Sequence, residues 1–287
     1  MSKRDLEKLH IGTSGWSYPD WVGPFYPEGT VPAAYLRHYA DHFPVVEVDA
    51  TFYAIPAART VENWARNTDD GFRFALKVPG TITHGVGGTH GGRGGKPDVN
   101  KVLADEEGDL ETFLQALEPL GEKLGPLIFQ FPYFRVKEMA AGDFLERLAR
   151  TLDKLPAGVR CAVEIRNKTW ITPTYLDLLR AHEAAAVMID HPYMPLPHQQ
   201  LRLGMVTADF AYVRLLGDRH AIEKKSKRWG EIVEDKSRRV EAWAEVLREI
   251  VSRPGVARAF AFSNNHFAGH GPATSRQLLG RVSHQTP

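Results

Sequence analysis

The strongest constraint in this chain is a recurring unit. A short apolar run stops on a charged or amide side chain, and a stretch with apolar residues at helical spacing follows. Residues 158–166, Gly-Val-Arg-Cys-Ala-Val-Glu-Ile-Arg, show it most plainly, because Glu164 and Arg166 stand two positions apart and so on one side of a strand. Comparable runs lie at 45–49, 72–78, 126–130, 186–190, 210–215 and 258–262, after a first run at 11–16 that enters a glycine-bearing turn. Between them, Leu36, Tyr39, Ala40 and Phe43 follow Pro32 at helical spacing, as do Val240, Trp243, Ala244, Leu247 and Ile250 later. Eight strands alternating with helices predict an α/β fold: one TIM-type (β/α)8 barrel domain over residues 1–287, in preference to two dinucleotide-binding halves.

Two stretches break the rhythm. Residues 191–209 carry prolines 192, 195 and 197 and no helical period, so an irregular connection is expected between strands six and seven. Residues 79–108 are the most glycine-dense part of the chain and read as a loop insertion, either a lid over a site or a poorly ordered insertion. It is not a phosphate-binding P-loop, because His90 occupies the first required glycine and Pro97 follows Lys96 where Ser or Thr is needed.

Composition narrows the classes. A formal charge of +1 over 287 residues is no polycation, so nucleic-acid affinity would need a local basic patch. Cys161 is the single cysteine, which excludes an intramolecular disulfide and a thiolate metal cluster and fits a reducing compartment. No run approaches the ~18 apolar residues of a membrane span, and the N-terminus has no apolar signal region, so a cytoplasmic protein without a membrane partner is expected. No glycine fingerprint follows a strand, so there is no nicotinamide or flavin signature.

In such a barrel the chemistry belongs at the carboxyl ends of the strands. Glu47, Asp49, Lys77, Gln130, Glu164, Arg166, Asp190, Arg214, Asn264, Asn265 and His266 all fall at or just past those ends. Glu47 and Glu164 are the acid/base candidates. Lys77, His84, Gln130, Arg166, Asp190, Arg214, Asn264, Asn265 and His266 would surround the ligand, with Trp16 and Tyr53 available for stacking. The plainer alternative is an ion-pair network that plugs the barrel. A divalent metal held by Glu47, His84, Glu164, Asp190 and His266 is a further alternative, although no local ligand spacing supports it. Arg219, His220, Lys224, Lys225, Lys227 and Arg228 could recognise phosphate or form a solvated loop balanced by Glu223, Glu231, Glu234 and Asp235.

These residues fall into ordered motifs. They include Gly12-Thr13-Ser14-Gly15-Trp16-Ser17-Tyr18, Val46-Glu47-Val48-Asp49-Ala50-Thr51-Phe52-Tyr53, Thr83-His84, Phe129-Gln130-Phe131-Pro132, Glu164-Ile165-Arg166 with Trp170, Tyr212-Val213-Arg214, and Asn264-Asn265-His266 with Gly269. The chain thereby resembles the YecE-like proteins, a domain-of-unknown-function family built as TIM-type barrels. The resemblance implies the barrel and a shared polar pocket, and supplies no reaction. Asp49 departs from the Asn usual in that pattern, and Leu216 from a common His.

Three functional readings remain open. The first is an enzyme (hydrolase, isomerase or lyase) acting on a polar or anionic small molecule through carboxylate acid/base chemistry. The others are a metal-dependent phosphodiesterase or nucleic-acid binder, by fold analogy, and a non-catalytic ligand-binding protein.

Overall fold

The computed structural model describes residues 2–87, 96–105 and 107–283. Its eight strands are β1 (Leu9–Ser14), β2 (Val45–Val48), β3 (Arg73–Lys77), β4 (Leu124–Gln130), β5 (Cys161–Glu164), β6 (Ala185–Asp190), β7 (Phe210–Leu215) and β8 (Arg258–Ser263). They close into a barrel in sequence order, with parallel pairing and flanking helices. The expected (β/α)8 architecture is present. The chain divides into two compact units, Met1–Glu47 with Val187–Pro287 and Val48–Ala186.

In the first unit β1 runs between β2 and β8, and β8 also pairs with β7. Parallel partners in register share a face. Ser14 therefore lies beside Glu47, and Ile189, Arg214 and Phe262 form one row. Thr13, Val46, Leu215 and Ser263 occupy the opposite, helix-facing side.

The helix Tyr35–Ala40 is keyed to this sheet by one hydroxyl. Tyr39, fully buried, accepts from Thr13 N (2.8 Å) and Thr13 Oγ1 (2.9 Å) and donates to Val45 O (3.0 Å). Such an approach requires glycine at position 12, where a β-carbon would stand 2.1 Å from Val45 O and 2.9 Å from that hydroxyl. Burial pushes the phenol pKa well up, so it stays a neutral donor. Helix Ser237–Ser252 buries Val240, Trp243, Leu247 and Ile250, the stripe that the sequence spacing predicts.

In the second unit Lys77, Ile128 and Ala162 are in register, as are Gln130 and Glu164, so Lys77, Gln130 and Glu164 project from one face. Helix Pro173–Ala181 begins at Thr172, whose hydroxyl accepts from Tyr175 N (3.3 Å). Tyr175 in turn donates to Val163 O (3.2 Å), fixing the helix against β5.

The connection from 191 to 209 corrects the sequence reading, because it contains a helix, Pro197–Arg202. Pro197 sits in the first turn, where its missing N–H costs nothing. Gln200, fully buried, locks the segment by accepting from Ile189 N (2.9 Å) and donating to Ile189 O (2.8 Å) and Pro195 O (2.6 Å). Six residues are too few to print a helical period.

Within the glycine-rich segment, residues 88–95 lie outside the described residues. Its flanks are built into the second unit: Leu103 N donates to Ile82 O (2.8 Å) and Asp98 N to His84 O (2.9 Å).

Replacing Tyr39 by Phe leaves Thr13 N–H and Val45 O without their buried partner. That should cost about 2 kcal/mol, read as a lower midpoint in urea denaturation. An unchanged midpoint would show that the hydroxyl is not what holds this helix.

Candidate functional site

In the first unit the end of β2 delivers Glu47 and β7 delivers Tyr212 and Arg214, two positions apart and so on one face. Glu47 Oε1 accepts from Arg214 Nη2 at 2.6 Å and Oε2 from Tyr212 Oη at 2.7 Å. Glu47 is 0% exposed and Arg214 1%. A carboxylate with both oxygens engaged, out of water, is held by charge-assisted bonds that offset its desolvation. Ser14, its register neighbour, is buried with a hydroxyl that has no hydrogen-bond partner among the described residues.

Beyond β8, Asn264 caps the short helix Asn265–Ala268, its Oδ1 accepting from His266 N (2.9 Å) and facing His266 Nδ1 (2.8 Å). The other ring nitrogen of His266 faces Glu223 Oε1 at 3.2 Å, and the ring meets Trp229 edge-on at 4.7 Å. Asn265 is buried and accepts from Gly271 N at 2.8 Å. His270 is buried beside Trp21, with ring centroids 6.0 Å apart. Burial first, and the Arg276 charge next, push its pKa down to about 4. Trp16 is half-buried in the loop after β1.

Asp190 stands apart from these residues. It pairs in register with Leu215, on the helix-facing side, accepts from Trp243 Nε1 (2.7 Å) and forms an ion pair with Arg239 Nε (3.3 Å). Burial pushes its carboxyl pKa up, against the indole hydrogen bond and the Arg239 charge. It fastens helix Ser237–Ser252 to β6.

The second unit gathers Lys77, Asp49, His84, Glu164 and Arg166. Lys77 Nζ reaches Asp49 Oδ1 at 2.8 Å, and Thr51 Oγ1 donates to Lys77 O at 2.7 Å, fixing the chain after β2 against the end of β3. Glu164, 0% exposed, meets Arg166 Nη2 at 2.6 Å. Gln130 shares the face of Glu164 through the β4–β5 register. His84, 8% exposed, packs edge-on against Phe52 at 4.8 Å, with Nδ1 3.0 Å from Thr83 Oγ1. Burial, then the charges of Lys77 and Arg166, push its pKa down to about 4 against the opposing pull of Glu164, so the ring is neutral near pH 7. Tyr53 is exposed and meets the edge of Phe52 at 5.3 Å.

Sequence reasoning missed Tyr212 and Asn167. Tyr212 carries the same two-residue offset from Arg214 that singled out Glu164 and Arg166. Asn167, buried, accepts from Phe134 N (3.0 Å) and donates to Phe134 O (2.8 Å), joining the loops after β4 and β5. Its sequence context carries no such signal.

Glu47, His84, Glu164, Asp190 and His266 do not form a metal centre. Among the described residues no three His, Cys, Asp or Glu side chains converge in a way that could hold an ion. The basic segment after β7 is compensated, with Arg219 on Glu223 (2.7 Å) and Lys225 on Glu234 (2.8 Å). Among the described residues no helix is long and apolar enough to cross a membrane.

Two expected outcomes follow from these buried groups. Arg214→Met strands the Glu47 carboxylate and should cost about 3–5 kcal/mol, whereas adding Glu47→Gln should recover most of that loss; additive losses in urea titrations would refute a coupled pair. His84 and His270, ordinarily near 6.5, are each held to about 4. The unfolded chain therefore binds their protons first, and stability is complete above about pH 6.5 and declines as pH falls toward about 4. The full effect is on the order of 3 kcal/mol per ring. Calorimetric Tm profiles should be flatter over that window in His84→Gln and His270→Gln than in the parent; identical slopes would contradict the shifts.

The family model described as "Protein of unknown function DUF72" matches residues 10–287. The UPF0759 protein YunF of Bacillus subtilis is 28% identical over 284 residues, covering 94% of this chain and 93% of that protein. The UPF0759 protein YecE of Escherichia coli K12 is 33% identical over 161 residues, 55% of this chain and 48% of that protein. A crystal structure of a DUF72 family protein from Thermotoga maritima superposes with a TM-score of 0.67 at 26% identity, covering 96% of this chain and 99% of that one. One from Enterococcus faecalis gives 0.68 at 21% identity, covering 97% of each, which speaks to fold alone. Since the family model takes in nearly the whole chain and the barrel is shared with the solved structures, the protein belongs to the DUF72 family.

Proposed function

We propose that this protein is an enzyme acting on a small polar, anionic molecule by carboxylate acid/base chemistry, with Glu164 as the proton-transferring group. One observation carries the reading. Within one unit, a fully buried acid stands on Arg166 and within electrostatic reach of His84, an imidazole kept neutral by burial and by Lys77 and Arg166. Partly buried cations beside a fully buried acid cost stability relative to an apolar core, and a site that receives an anion makes use of them.

In this scheme Lys77 and Arg166 bind the substrate's anionic group. Their engagement by the substrate loosens the hold of Arg166 on Glu164, whose carboxylate then takes a proton from the substrate or from an attacking water and later returns it. Negative charge that develops in the substrate is held by the two cations. His84 and Gln130 contribute neutral hydrogen bonds that orient the ligand. In the other unit Glu47 is a positioning residue: both its oxygens are engaged, and its part is to hold Arg214. Within the first unit, taken by itself, Arg214, Asn264, Asn265 and His266 are read as ligand-binding residues. Isomerisation, elimination and hydrolysis all use such a set, and the choice among them depends on the substrate.

Glu164→Gln keeps the shape and removes the proton acceptor. Incubated with a metabolite extract and followed by mass spectrometry, the parent protein should deplete a species that the variant consumes about 10²–10⁴ times more slowly. Equal depletion by both would remove Glu164 from the chemistry, and a species retained but never converted would make the protein a binder.

A further inference from the structure

The Glu47 and Glu164 clusters leave a second group of buried polar atoms in the first unit unexplained. Asn265 Nδ2, His270 Nε2, Trp21 Nε1 and Ser263 Oγ are buried and have no hydrogen-bond partner among the described residues. Asn265 and Ser263 border the start of helix Gly271–Ser283, His270 precedes it, and Trp21 packs on His270. Gly271 N donates to Asn265 Oδ1 at 2.8 Å, so the unpartnered Nδ2 is the other limb of an amide already fixed at the helix end. A β-carbon on Gly271 would lie 3.2 Å from Ser263 O and 3.3 Å from Thr13 Cγ2. His270 immediately precedes the helix, and Trp21 meets its ring edge-on at 6.0 Å.

The chemistry of the orphaned atoms is one-sided. An indole N–H and an amide NH₂ can only donate, and a neutral imidazole nitrogen can donate in one tautomer. The helix N-terminus adds the positive end of the dipole, its Gly271 N–H being already taken by Asn265 Oδ1. Arg276, in the same helix, adds a full positive charge close enough to depress the His270 pKa. The neighbouring acid is already engaged, Asp20 Oδ2 accepting from Trp229 N at 3.1 Å. Each buried donor left unmet carries a desolvation cost, and several donors at one place call for one acceptor-rich partner.

We propose that the start of helix Gly271–Ser283 is a binding site for an oxyanion, the carboxylate or phosphoryl group of a small metabolite, held by Asn265 Nδ2, Trp21 Nε1 and His270 Nε2 at the positive end of the helix. It rests on the reading of Asn265 as a ligand-side residue and on no chemistry by Glu164. The helix is 13 residues long, enough to sustain a dipole at its end.

Inorganic phosphate and acetate, titrated separately into the full chain by calorimetry, test the site and distinguish the two sources of oxyanion. The Trp21 indole resonance in ¹⁵N spectra locates the binding. At least one anion should bind saturably and shift that resonance. Asn265→Asp keeps an oxygen for Gly271 N but replaces the donor with negative charge, and should weaken binding at least about tenfold. Trp21→Phe keeps a ring and removes only the donor, and should weaken it several-fold, which covers the case of an Asn265 variant that does not fold. No saturable binding of either anion, unchanged affinity in a folded variant, or a crystal grown with phosphate in which only water meets Asn265 Nδ2 would overturn the proposal. No turnover is involved, so failure here leaves the Glu164 reading standing, and an inert Glu164 leaves this site standing.

Discussion

A strand has a period of two, and parallel pairing in register carries that period from one strand to the next. Everything that positions chemistry in this barrel follows from it. Once Ser14 pairs with Glu47 and Arg214 with Phe262 and Ile189, the facing of every residue in the first unit's strands is set. The pairing of Gln130 with Glu164, and of Lys77 with Ile128, does the same for the second. A slip of one residue would exchange Glu47 for Val46 and turn a buried acid toward the helices. The Tyr39 hydroxyl guards that register, since it binds β1 and the start of β2 at once and tolerates no side chain at Gly12.

Register alone would leave charges in costly places, and the two units meet that cost differently. Glu47 has two strong partners, Arg214 and Tyr212, and is fully buried, an arrangement that is rigid and closed. In the second unit Lys77 and its partner Asp49 are both partly exposed, and Arg166, paired to buried Glu164, is partly exposed as well. Partly exposed cations can exchange partners without a large desolvation step. That difference, more than the identity of the residues, is why acid/base work is assigned to Glu164 and a positioning role to Glu47.

Much of this was legible in the sequence, and the failures have physical causes. The eight runs announced the strands because several of them end on a charged or amide residue, and Glu164 with Arg166 could be placed on one side by counting. Asp190 could not be placed by counting. Its run, Ala-Val-Met-Ile-Asp, is apolar on both sides, as strands of a covered parallel sheet are, so nothing local says which face the terminal acid takes. Only the register with Leu215 and the indole of Trp243 reveal that it belongs to the helix layer. The helix Pro197–Arg202 was hidden for a different reason, because it is fixed by the Gln200 amide rather than by an apolar stripe. Tyr212 sat in view at the right offset and was passed over, because a tyrosine in a strand reads as packing until a carboxylate is found opposite it.

The neutral state of His84 ties the electrostatics to the proposed chemistry. An imidazole beside Lys77 and Arg166 is kept unprotonated by burial and by their charges, so a site with these cations unoccupied has no acidic imidazole near pH 7. An anion that binds the two cations cancels part of the field that depresses the ring, and proton affinity at His84 rises as a consequence. Binding and protonation are then linked, and each must favour the other by the same free energy. Burial, the larger cause of the shift, remains when the ligand is bound, so His84 stays the neutral hydrogen-bonding group of the proposed chemistry.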